Sequence, residues 1–474
     1  MKIRNPRTGE ADYEIDQLDD GAIAAEAKRL RGGQIDWAAK TPKQRGEVLY
    51  RWADAIEAEL GDIVPALTAD TGRAGISRIE AISVAGQIRR WAEQAPELIA
   101  DGQPTGQPTS QPDITTSIQL VPYQLIGVIS PWNFPLILAL IDAIPALMAG
   151  CAVLVKPSEV TPRFIRPLME IVRSIPELAG VLSLIEGDGA TGAAMIEHVD
   201  YVCFTGSVAT GRKVGEAAAA AFIPASLELG GKDPMIILAD ADPEKAAAIA
   251  LRSSIVNSGQ ACQSIERIYI AKAIADPFLE SLVRQAEAVE LNYPDITRGH
   301  IGPFIFAKQA EIAQNQLDDA MAKGAKLLAG GAVEQLGGGL YLKPTVLTDV
   351  TPDMDIISEE NFGPVIPVTV FDDIEDAIAQ ANDSKFGLSA AVVSGSIEAA
   401  EKIASRLNAG AVSINDGSLT SMIWEAEKSS FGYSGLGASR MGSSGLTRFF
   451  RKRVLIRQSG DASQITAFAE ENFA

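Results

Sequence analysis

Leu227-Glu228-Leu229-Gly230-Gly231-Lys232 and, a little downstream, Gly259-Gln260-Ala261-Cys262 are the stretches whose reading decides what this chain is. The first carries a carboxylate on an apolar strand that ends in two glycines. The second sets a thiol just after a glycine, the residue that lets other groups approach the backbone closely. A cysteine is a nucleophile only as its thiolate, so it needs a nearby base or an electropositive setting. Taken singly, such a pair is ordinarily a core cysteine and a surface glutamate. The surrounding pattern has to decide.

Upstream of Glu228, apolar runs at Leu125–Ile129, 152–155, 182–185 and 201–204 alternate with helical patterns at 134–149, 162–175, 189–197 and 208–222. Strands without polar alternation, separated by helices, indicate a parallel sheet covered on both faces. Such sheets bind ligands beyond the carboxyl ends of their strands. Those ends carry Pro131-Trp132-Asn133-Phe134-Pro135, Lys156-Pro157-Ser158-Glu159 and Thr205-Gly206-Ser207. After Gly231 a second α/β alternation begins, with strands near 234–238, 266–270 and 364–370 and helices near 243–257, 274–290, 307–323, 373–382 and 397–407. Residues 1–100 are mostly helical in pattern, with Thr41-Pro42 as a cap and first-turn proline. The Gly/Pro-rich 101–113 reads as an exposed loop, 117–122 as a strand outside the main sheet, 451–458 as another strand, and 460–474 as a polar tail.

Composition narrows the function classes. A chain of 474 residues exceeds a single core, and 47% hydrophobic with 22% charged residues describes a globular protein. A net charge of −20 argues against nucleic acid or an anionic membrane as partner. The cluster Arg448-Phe449-Phe450-Arg451-Lys452-Arg453 flanks Val454-Leu455-Ile456 and reads as a strand with charged shoulders. Cys151, Cys203 and Cys262 suit neither a disulfide framework nor a zinc cluster, and Cys151 and Cys203 sit at apolar strand runs. With only His198 and His300, no metal site is expected. The N-terminus is polar, and the apolar run 134–148 is broken by Pro135, Asp142 and Pro145, so the expectation is a cytoplasmic protein.

Gly206-Ser207-Val208-Ala209-Thr210-Gly211 follows a strand and opens a helix, a place where free amides and the helix dipole suit a phosphate. Taken in order, Pro131 to Pro135, Lys156 to Glu159, Phe204 to Ser207, Leu227 to Lys232, Gly259 to Cys262, and Glu360-Asn361-Phe362-Gly363-Pro364 resemble the NAD(P)-dependent aldehyde dehydrogenase superfamily over essentially the whole chain. The resemblance implies an α/β fold with a Rossmann-type parallel-sheet cofactor domain, a second α/β catalytic domain and a small β oligomerisation element. It places an NAD-binding domain at 1–113 and 123–228, with 433–450 packing back on it, and a catalytic domain at 229–432. Oligomerisation strands fall at 114–122 and 451–460, and a tail at 461–474.

Roles carried over from the resemblance make Cys262 the nucleophile, Asn133 with the Cys262 amide the oxyanion hole, and Glu228 the general base. Trp132, Lys156, Ser158, Glu159, Gly206, Ser207, Gly230, Glu360 and Phe362 are implied around the cofactor, taken as NAD, with NADP weaker because of Glu159. Ile137, Leu138, Ile141 and Phe431 are implied around a small-molecule aldehyde, and a homodimer or homotetramer is expected. An apolar tunnel there would favour aliphatic or aromatic aldehydes over charged semialdehydes. The chain departs from the family at Ser430-Phe431-Gly432-Tyr433-Ser434-Gly435, shortened and lacking the second glycine, and at Val208, where many members carry threonine. Rival readings are a coenzyme A-acylating enzyme, against which Glu228 speaks, an esterase, and a catalytically idle binding protein on the same scaffold.

Overall fold

The computed structural model describes residues 1–473. Five apolar runs lie side by side as parallel strands, in the spatial order Ala225–Glu228, Tyr201–Thr205, Leu125–Ile129, Ala152–Lys156, Leu182–Leu184. Leu125–Ile129 has Tyr201–Thr205 on one side and Ala152–Lys156 on the other. Crossovers therefore leave it in opposite directions, and the crevice at such a reversal is where open parallel sheets take ligands. Gly435–Leu436 returns from far downstream to pair antiparallel with Ala225–Glu228, setting Gly435 opposite Glu228. The core around this sheet draws on helices Asp20–Ala39, Pro42–Ala58 and Ala74–Asp101, with Leu30, Trp52 and Ile88 fully buried. Each such side chain stabilises the fold by about 1.5–3 kcal/mol.

The second sheet has seven strands, in the order Lys326–Ala329, Thr345–Thr348, Val365–Phe371, Ile265–Ala271, Asp233–Ile237, Ser389–Val393, Ala411–Ile414. All neighbours are parallel except the first pair. A third sheet pairs Phe450–Gln458 with Ile114–Pro122, and Gln107–Pro108 adds to the far side. Val454, Leu455 and Ile456 are exposed on its outer edge.

Several elements differ from their sequence reading. The helix expected over 134–149 is two, Pro135–Leu140 and Ala143–Ala149. Pro145 cannot donate to the Ile141 carbonyl, and Asp142 at the break is drawn to Arg440 and Arg448. Helix Ala74–Asp101 runs through Pro96 into the expected loop, where Gln107–Pro108 forms a short strand. Arg448 is no strand shoulder; it is buried against Asp142.

Candidate active site

After helix Pro243–Ile255 the chain turns through three consecutive left-handed residues, Asn257 (φ 60°), Ser258 (φ 56°) and Gly259 (φ 72°). A Cβ at Gly259 would stand 2.1 Å from the Gly363 carbonyl oxygen, so only glycine fits. The turn aims Asn257 Nδ2 at two carbonyls, those of Asn133 (3.1 Å) and Gln260 (2.9 Å). Asn133 Nδ2 donates to the same Gln260 carbonyl at 3.0 Å. Gln260 is locked in turn, accepting from the Ile305 amide at 2.9 Å. The loop after strand Leu125–Ile129 is thereby tied to the segment carrying Cys262.

Cys262 is half-buried and lines a cavity of about 660 Å³ together with Trp132, Asn133, Leu138, Gly230, Glu360 and Phe362. Burial pushes its thiol up to about 12, Glu360 and Asp233 add to the rise, and Lys428 and Arg440 oppose it. Lys428 Nζ is shielded from solvent and makes no hydrogen bond among the described residues. Cys151 and Cys203 are fully buried, which raises both thiols further.

Glu228 stands apart. Its carboxylate accepts from Ser430 Oγ at 3.3 Å and faces Arg440 Nε at 3.9 Å, and it is not among the residues lining the cavity. Arg440 is held by Thr205 Oγ1 (2.7 Å) and Asp142 (3.0 Å), and Asp142 is shared with Arg448. The structure thus brings Asn133 to the cysteine segment and holds Glu228 on a buried chain of alternating charges.

At another wall of the cavity, Glu360 Oε1 accepts from the Gly231 amide at 3.1 Å. A Cβ at Gly230 would fall 2.6 Å from Glu360 Oε2, so a side chain there would displace that carboxylate. Burial and the neighbouring Glu266 push Glu360 up to about 8. Lys232 pairs with Glu266 at 2.8 Å, and Glu266 accepts from the amides of Asn361 (2.9 Å) and Phe362 (3.0 Å). Phe362, at φ 50°, meets Trp132 edge-on at 5.4 Å, and Phe306 packs at 6.0 Å on the same indole. Elsewhere in the cavity Lys156 Nζ donates to Glu159 (3.1 Å) and to the Asp188 carbonyl (3.1 Å). Ser207 caps helix Val208–Ala220, and Ser158 and Gly206 complete the strand-end wall.

Of the residues expected around the aldehyde, only Leu138 lines this cavity. Ile137 packs against the main core, Ile141 is buried, and Phe431 is exposed where it pairs with Gly387. Thr210, Lys213, Phe306, Lys308 and Gln309 also line it and were not anticipated. Thr210 and Lys213 share one face of the helix that Ser207 opens, a spacing readable in the sequence. Among the described residues no cluster suits a metal ion, and no helix is long and apolar enough to cross a membrane.

The chain as a whole has relatives among known proteins. Residues 1–455 match the family described as "Aldehyde dehydrogenase family". The chain is 35% identical to the "Putative succinate-semialdehyde dehydrogenase (NADP(+))" of Mycolicibacterium smegmatis, over 83% of this chain and 76% of that protein. Among solved structures, "Putative Aldehyde Dehydrogenase PutA" of Anabaena variabilis superposes with a TM-score of 0.96 and 48% identity, covering 98% of each chain. The NAD+-bound betaine aldehyde dehydrogenase of Staphylococcus aureus gives a TM-score of 0.90 and 30% identity over 98% and 95% of the two chains. Fold, motifs and coverage agree: this chain belongs to the aldehyde dehydrogenase family.

Proposed function

We propose that the chain oxidises an aldehyde to a carboxylic acid with NAD as hydride acceptor, through a covalent intermediate on Cys262. The observation that carries this reading is the Gln260 carbonyl, which ties Asn133 to the cysteine segment inside a cavity also walled by Glu360 and Phe362. The cavity's residues fit a dinucleotide. Gly230 leaves no Cβ beneath Glu360, Ser207 opens a helix whose N-terminal amides suit a phosphate, and Lys156 with Glu159 offers charge at a strand end. When bound, the nicotinamide takes up a hydride.

Cys262 adds as thiolate to the aldehyde carbon, and the carbonyl oxygen becomes an oxyanion. Asn133 has a second Nδ2 hydrogen beyond the one given to Gln260. That hydrogen and the Cys262 amide are the donors for the oxyanion. Departure of hydride restores the carbonyl as a Cys262 thioester. Glu228, swung from Ser430 and Arg440, takes a proton from water, whose hydroxide adds to the thioester. Collapse releases the acid and the Cys262 thiolate, and Glu228 gives its proton to solvent. NADP is the second reading, supported by the NADP-type names of the mycobacterial relatives and by Lys213, a second cation lining the cavity that Lys156 lines. The exposed edge Phe450–Gln458 is suited to pairing with a second copy of the chain, giving a homodimer or homotetramer.

The test is Cys262→Ala with an aldehyde panel and NAD, followed at the NADH absorbance band. Loss of NADH with cofactor binding retained is expected; substantial turnover in that variant would mean another group is the nucleophile.

A further inference from the structure

We propose that Arg73 is a positioning residue for the oxyanion donor, holding Asn133 in place through that residue's main-chain carbonyl. The proposal rests on the reading that Asn133 stabilises the oxyanion. Two donors converge on the Asn133 carbonyl, Asn257 Nδ2 from the cysteine segment and Arg73 Nη2, each at 3.1 Å. Arg73 comes from the helical layer, where it is the N-cap of helix Ala74–Asp101. Its guanidinium also stands over the ring of Phe134, 5.7 Å from the centroid. Two turns along the same helix, buried Glu80 accepts from the Ile137 amide at 3.4 Å. The first two turns of this helix therefore hold the Asn133–Phe134 turn through Arg73 and the start of the helix that follows it through Glu80.

The cost of this arrangement argues that it is not ordinary packing. Arg73 is buried, and its Nε and Nη1 find no partner among the described residues. A buried cation with unmet donors is expensive, and an apolar side chain of similar length would fill the space at lower cost. Burial lowers Arg73 only to about 10, so it stays a cation at neutral pH. The path of its side chain is also set from the second α/β unit. Asn292 Nδ2 donates to the Gly72 carbonyl at 2.7 Å, and a Cβ at Gly302 would fall 2.8 Å from Arg73 Cγ. Gly302 in turn accepts from Ser258 Oγ at 2.9 Å, so the strip that shapes Arg73 also braces the cysteine turn.

The experiment is a four-cornered cycle of Arg73→Met and Asn133→Ala in the full-length protein. The burst rate is read as the single-turnover rate of NADH formation with enzyme in excess over aldehyde, on folded sites counted by cofactor binding, so loss of folded protein does not enter. Asn133→Ala should slow the burst about 10²–10³-fold. Arg73→Met should slow it about 10- to 100-fold, the scale of a displaced catalytic group. In the double variant the Arg73 change should add no more than about twofold, because the group it positions is gone. Arg73→Lys should recover part of the loss, and if Arg73→Met does not fold, Arg73→Lys carries the same cycle. An unchanged burst in the Arg73 variants overturns the proposal, as does a full Arg73 penalty repeated on Asn133→Ala. A wild-type burst in Asn133→Ala itself overturns the oxyanion reading first, and this proposal with it.

Discussion

The Glu228 carboxylate is parked 3.9 Å from Arg440 Nε, with its other oxygen on Ser430 Oγ, outside the wall of the cavity that Cys262 enters. In the proposed mechanism Glu228 turns from there to serve the thioester, after hydride transfer. Glu228→Gln should therefore slow steady turnover about 10²–10⁴-fold while leaving a burst of one NADH per site. Stopped-flow absorbance decides the matter. Steady turnover near the wild-type rate removes Glu228 from the mechanism, and a missing burst moves its role to activating Cys262.

Lys428 is expected to act on the nucleophile through charge alone. Burial pushes Cys262 up to about 12, and Lys428 is the larger of the two cations opposing that rise. Lys428→Met should push the thiol further up, lowering the thiolate fraction and slowing inactivation by iodoacetamide about twofold to tenfold at fixed pH. Lys428→Arg should alkylate as the wild type does. Cys151 and Cys203 are fully buried and should not confuse the readout. Equal rates for Lys428→Met and wild type would exclude the effect.

On the proposed reading, cofactor choice turns on Glu159. Like charges about 4 Å apart at an effective dielectric near 20 cost about 4 kcal/mol, and half of that is already more than tenfold. Lys156, the residue best placed to offset a 2′-phosphate, is engaged by Glu159 and the Asp188 carbonyl, each at 3.1 Å. NAD should exceed NADP in kcat/KM, and Glu159→Gln should narrow the gap. Comparable values for the two cofactors in the unmutated enzyme would mean that Lys156 and Lys213 dominate the pocket.

Glu360 links the cofactor wall to pH. Burial, then the charge of Glu266, raises it to about 8 in the folded chain, against an unfolded value near 4.5. Between those values the folded state holds more protons than the unfolded one, so stability falls as pH rises through that window. Without cofactor, Tm should drop less from pH 5.5 to 8 in Glu360→Gln than in the wild type. Parallel Tm profiles would show that Glu360 does not titrate in that range.

The doubly covered strands were legible because burial on both faces leaves an unbroken apolar run, as at Leu125–Ile129. Ser389–Val393 is just as buried, yet two of its five residues are alanines, which carry little strand preference, and it escaped notice. Lys326–Ala329, a partly exposed antiparallel edge, offers only the short run Leu327-Leu328-Ala329 before two glycines, too brief to stand out. Cys262 and Asn133 were readable from local motifs. Arg73 and Glu80 were not, because their meaning lies in a meeting with residues some sixty positions away that no local pattern encodes. Asn257 lay within sight, five residues before Cys262, but its bridging role needs the left-handed turn to be seen.

That turn has a consequence for how the enzyme fails. Asn257 and Ser258 both sit in the left-handed region, at roughly 1–2 kcal/mol each, and their burial and their bonds to neighbouring segments keep them there. The loop is a bent spring under a latch, and we expect it to open before either sheet. Mild denaturant should silence the enzyme while its circular dichroism is still native. Dilution should wake it again, because the intact sheets are the jig on which the spring is re-bent.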